Sequence, residues 1–116
     1  MSEYQEKEQN IKSTLSFTKG AKFNLKDAVN LGEYDPEYLK NFPEWHDLSA
    51  YIQWQLIRRA LDIRRKQLLT HWAELNNTLE LSKKPHVQQA MKNVEKQLQK
   101  LMEDQERLYV EYSNKF

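Results

Sequence analysis

The chain of 116 residues has no cysteine, two glycines and three prolines. Without cysteine it can have no disulfide framework and no thiolate metal site. So little glycine and proline leaves few tight turns for a β-rich fold and favours long helices. No apolar run approaches the ~20 residues of a membrane-spanning helix. The polar, acidic start Met1-Ser2-Glu3-Tyr4-Gln5-Glu6-Lys7-Glu8 lacks the apolar centre of a secretory signal. Charge of one sign is also missing. Lys and Arg number 18 against 17 Asp and Glu, a net charge of +1, so no global field draws the chain to nucleic acid or acidic membranes. We expect a cytoplasmic protein with one domain of modest core.

What the chain does have is periodicity. Val87, Met91, Val94, Leu98, Leu101, Leu108 and Tyr112 recur at alternating spacings of three and four, with Gln105 as the one break in the row. That spacing lays them on one narrow stripe of a helix, and such a stripe has to be buried against another helix. The partner helix is expected to begin near Pro43-Glu44 and to run to about Leu79. Its apolar residues change face. Leu48, Ile52, Leu56, Ala60 and Ile63 line one side of the first half, and Trp54, Ile57, Leu61, Leu68, Trp72, Leu75 and Leu79 line a second. At ~100° per residue the two stripes lie a third of a turn or more apart, too far for one neighbour to cover both. The first half of this helix therefore needs a second cover, either the preceding segment or another copy of the chain.

Leu81-Ser82-Lys83-Lys84-Pro85 connects the two helices, with Ser82 as the expected N-cap and Pro85 in the first turn. So short a loop makes the helices antiparallel neighbours. A bare two-helix hairpin has too little core to stand alone. The fold class expected is all-α: a long, coiled-coil-like antiparallel hairpin over residues 44–116, with an N-terminal segment of short elements packed on it, dimerising into a helical bundle. Residues 1–12 read as a flexible polar tail.

Residues 13–43 are mixed and too apolar for a linker. Leu15, Phe17, Phe23 and Leu25 alternate around Lys19-Gly20, which allows a small β-hairpin. Alternatively Asn24 or Asp27 caps a short helix that ends at Gly32. Asp35-Pro36-Glu37 reads as a helix start: a capping carboxylate, a proline at the first position and an acidic residue at the positive helix end. That helix should stop near Phe42-Pro43, because the residue before a proline avoids helical geometry.

No residue set announces chemistry. There is no glycine-rich phosphate loop, no serine in a nucleophile elbow and no carboxylate pair set apart from basic neighbours. His71 and Glu74, three apart, are too few for a di-metal bundle site and in the reversed order; His46 and His86 have no partners in sequence. We expect no enzyme activity, no cofactor and no metal. Arg58, Arg59, Arg64, Arg65 and Lys66 form the densest basic run, but it wraps around the helix, and Asp62 stands four residues from both Arg58 and Lys66.

Aromatic residues are the better lead, since Trp, Tyr and Arg dominate interface energies. The expected function is a non-enzymatic protein–protein interaction module, such as a small adaptor, regulator or assembly factor. The residues selected to meet the partner are Tyr34, Tyr38, Phe42, Trp45, Arg58 and Arg65. The alternatives are nucleic-acid binding through the arginines of the first long helix, or an oligomeric structural component. No motif specifies a family.

Overall fold

The computed structural model describes residues 23–77 and 83–116, and every regular element among them is helical. In chain order these are α1 (Leu25–Asn30), α2 (Pro36–Leu39), a 3-10 turn (Pro43–Asp47), α3 (Ala50–Asn76) and α4 (Pro85–Ser113). The expected polar tail, the alternation around Lys19-Gly20, Leu79 and the Ser82 cap lie outside the described residues.

The long helices pack against each other along their length, each about 40 Å long at ~1.5 Å per residue. They run antiparallel: Trp54, early in α3, stacks on Tyr112, late in α4, at 6.0 Å, and Trp72 Nε1 donates to Glu95 at 3.1 Å. The regular stripe of α4 is the seam. Val87, Met91, Val94, Leu101, Leu108 and Tyr112 are all buried, and from α3 Trp54, Ile57, Leu61 and Leu68 are buried with them. No helix among the described residues is long and apolar enough to cross a membrane.

Local chemistry explains each short element. Asn24 caps α1 with a reciprocal box. Its side chain accepts from the Asp27 N–H at 2.9 Å, and the Asp27 carboxylate accepts from the Asn24 N–H at 3.0 Å. The helix ends in a paired turn: Gly32 N–H donates to Val29 O and Glu33 N–H to Ala28 O. Gly32 sits at φ 88°, where a side chain is strained. Asp35 caps α2 by accepting from the Glu37 N–H at 3.0 Å, with Pro36 at the first position, as its sequence indicates.

The start of the first long helix differs from expectation. Pro43 does open a helical turn, but that turn is 3-10 and closes at Asp47, after which Ser49 caps α3 afresh by accepting from the Ile52 N–H. The reason is tertiary. The Glu44 carboxylate accepts from the Leu25 N–H at 3.1 Å, and this bond lowers the Glu44 pKa. Gln53 Nε2 donates to the Trp45 carbonyl at 3.0 Å. Both bonds fold the turn back on its neighbours instead of letting it continue the axis of α3. Lys84, with no side-chain bond, occupies the N-cap of α4, and Pro85 holds the first position.

The segment before α3 supplies the second cover that its two stripes require. Helix α1 packs on α3. Ala60 is fully buried, and Leu48, Leu56 and Ile63 are half-buried, while Ile52 stays exposed. Arg64 fastens this layer. Its Nε donates to Gly32 O at 3.3 Å and its guanidinium reaches Leu31 O at 3.4 Å and the Glu33 carboxylate at 3.5 Å. Gln67 adds a bond to Leu31 O at 3.3 Å. These donors meet carbonyls at the end of α1, where helical carbonyls lack partners.

Candidate interaction surfaces

The six residues selected from sequence fall in three environments. Trp45 and Tyr34 are held inside the chain. Trp45 is 5% exposed and belongs to the core, and the 3-10 turn that carries it is held by the Glu44 carboxylate on the Leu25 N–H and by Gln53 on the Trp45 carbonyl. Its ring packs inside this chain. Tyr34 is half-buried and its hydroxyl donates to Asp104 of α4 at 2.7 Å, tying the N-terminal segment to the second long helix.

Burial first, then the Asp104 bond, pushes the Tyr34 pKa up to about 12. Burial alone would raise the Asp104 carboxyl, but hydrogen bonds from Tyr34 and Lys100 and the charge of Arg107 outweigh it and hold the group below its ordinary range. The neutral phenol is thus favoured by folding. In the unfolded chain a tyrosine loses its proton near pH ~10. Between there and about 12 the unfolded state releases the proton first, so stability present below pH ~10 drains away as pH rises. Melting followed by circular dichroism in this window should fall more steeply for the native chain than for Tyr34→Phe. Equal slopes would mean that the bond to Asp104 does not contribute to the alkaline loss.

Tyr38 and Phe42 form the first outward surface. Tyr38 meets Phe42 edge-on at 5.6 Å and Phe23 lies 6.0 Å from Phe42. Phe23 and Tyr38 are exposed and Phe42 half-buried. The result is a three-ring apolar edge on the outside of the N-terminal layer, flanked by the ion pair Lys40–Glu37.

Arg58 and Arg65 lie on the second surface, the flank of the hairpin turned away from α1. A groove of about 820 Å³ runs there, with Trp54, Arg58, Arg59 and Arg65 on its α3 wall and Gln105, Glu106 and Tyr109 on its α4 wall. Arg65 and Lys66 pair with Asp62 at 2.9 and 3.0 Å, and those bonds lower the Asp62 pKa. Among the described residues, Arg58, Arg59 and Glu106 have no hydrogen bond or ion pair.

Sequence reading missed the order of this flank. Tyr51, Arg58, Arg65 and Trp72 recur every seven residues on α3, and Glu95, Met102 and Tyr109 do so on α4, with Phe116 continuing the interval beyond its end. Residues seven apart share a helix face. The outer rungs of this ladder close within the chain: Tyr51 meets Phe116 edge-on at 5.9 Å, and Trp72 bonds Glu95 at 3.1 Å. The antiparallel register then sets Arg58 across from Tyr109 and Arg65 across from Met102 as the two open inner rungs. The seven-residue interval was available in the sequence, hidden because arginine does not register in an apolar pattern.

Among the described residues no three of His, Asp and Glu stand together as a metal cluster, and His71 and Glu74 are exposed. Comparison of the chain with family models, curated proteins and solved structures finds no match to any of them.

Proposed function

We propose that this chain is a non-enzymatic protein–protein interaction module, a small cytoplasmic adaptor, regulator or assembly factor that works as a homodimer. It presents the aromatic edge of its N-terminal layer and a face of its helical hairpin. The observation that carries this reading is the three-ring edge Phe23–Phe42–Tyr38. Rings of this size normally go inside, yet Phe23 and Tyr38 are exposed, and only Phe42 of the three packs against the core. An apolar aromatic edge beside a mixed-charge rim is the composition of an interface centre.

Tyr38→Ala is the test. Tyr38 is exposed, so its removal should leave helicity and melting within about 0.5 kcal/mol of the native chain, while recovery of bound protein from an extract of the native source drops several-fold. An unchanged set of captured proteins, or a loss of melting in step with the loss of binding, would sink the proposal. Nucleic-acid binding by Arg58, Arg59 and Arg65 is the second reading, favoured by their gathering on one groove. It ranks lower because Asp62 and Glu106 line the same groove and would face the phosphates.

A further inference from the structure

The two flanks of the hairpin are treated differently. One is covered by α1 and sealed by Arg64. The other exposes Tyr51, Met102, Tyr109 and Phe116, each more than half accessible to solvent, around the groove of Arg58 and Arg65. We infer that this flank is the surface through which two copies associate, about a two-fold axis running along the helices. Helix α3 of each copy lies over α4 of the other. The inference rests on the reading of the chain as an interaction module, but it uses a surface separate from the Tyr38 edge.

Charge selects both the occupant and the axis. The flank is divided by sign on balance: Arg58, Arg59 and Arg65 outnumber Asp62 on the α3 wall, and Glu106 is the charged residue of the α4 wall. A two-fold axis across the helices would set α3 on α3, with the arginines of one copy facing those of the other, and like charges so placed oppose association. An axis along the helices sets α3 on α4 instead. The register sets Arg58 level with Tyr109, one helical turn from Glu106 on the same groove, so each unpaired guanidinium comes within one turn of the unpaired carboxylate of the other copy. Arg58 also comes over Tyr109 of the partner copy, a favourable placement of a guanidinium on a ring.

Either axis leaves every helix in the four-helix arrangement with antiparallel neighbours, the up-and-down order of common bundles, so charge is what separates them. The area is also sufficient. Two helices about 10 Å wide and about 40 Å long offer roughly 800 Å² per copy, the size of a standard specific interface.

The test is sedimentation equilibrium of the full chain and three variants, with circular dichroism as a check on folding. The native chain should show a concentration-dependent dimer. Arg58→Glu and Glu106→Arg should each weaken it at least ten-fold, because each places like charges together. The double variant Arg58→Glu/Glu106→Arg should restore the native constant. Both residues are exposed and unpaired, so helicity should not change in any of the four. A native chain that stays monomeric overturns the inference. So does a dimer that ignores the single substitutions, or one that the double variant fails to restore. Binding through the Tyr38 edge would survive all three outcomes, and loss of that edge would leave the dimer intact.

Discussion

Replacing Ile57 with alanine is expected to lower the stability of the chain by about 3 kcal/mol, the middle of the range for a buried isoleucine cut back to a methyl. Ile57 is completely buried. At ~100° per residue its position falls between Leu61, on the α4 side of α3, and Ala60, on the α1 side. Its side chain therefore stands where the seam of the hairpin meets the N-terminal layer, and the cavity left behind opens against both. For a domain of this size a loss of 1 kcal/mol moves the melting point by roughly 4–8 °C, so the variant should melt more than about 12 °C lower. In urea the midpoint should fall with little change in slope. A loss below about 1 kcal/mol would show that hairpin and N-terminal layer do not share a core at this point.

The N-terminal layer that Ile57 touches was only partly legible in the sequence. Two features were plain. The stripe of α4 required a partner helix, and the two stripes of α3 required a second cover. Local punctuation located α2 through Asp35-Pro36, and left the Asn24 cap and Gly32 terminus as one of two readings for α1. Two others were not legible, for a common reason. Pro43-Glu44 is a sound helix-start signal, and nothing local says that the turn it opens will be 3-10 and that Ser49 will start again. That outcome depends on Glu44 reaching the Leu25 N–H nineteen residues away and on Gln53 reaching back to Trp45. Arg64, likewise, reads locally as one more charge in a basic run. Its use as the clamp on Leu31 and Gly32 depends on where α1 comes to rest.

The candidate surfaces divide the same way. The basic run wraps around α3, and of it Arg58, Arg59 and Arg65 share a groove. Aromatic content alone grouped Tyr34, Tyr38, Phe42 and Trp45, which the fold then separates: one ring in the core, one tied to Asp104 and two on the outer edge. Residue type shows that a ring can serve an interface. Only the turn on which it rides decides whether it faces in or out.

Trp45→Ala puts that distinction to measurement. If Trp45 is a core residue, its loss should cost about 3–5 kcal/mol, the range for a buried aromatic ring cut to a methyl. The mechanism is specific. Trp45 is 5% exposed within the cluster that joins Leu25, Ala28, Val29 and Leu39 of the N-terminal layer to Trp54 and Ile57 of α3. Removing it takes the wedge from beneath the 3-10 turn, so the Glu44 bond to Leu25 and the Gln53 bond to the Trp45 carbonyl should loosen with it. Amide hydrogen exchange should then accelerate first at Leu25 and across α1, before the α4 seam around Leu101 and Leu108 is affected, since local opening follows lost packing. Tyr38→Ala, a few residues away but exposed, should leave both the melting point and the exchange pattern nearly unchanged. A Trp45→Ala chain that melts like Tyr38→Ala would place the indole on the surface and return Trp45 to the set of partner-binding candidates. A chain that loses the α1 protection but keeps its hairpin would show that the N-terminal layer is a separately detachable cover, held on α3 by this one ring and by Arg64.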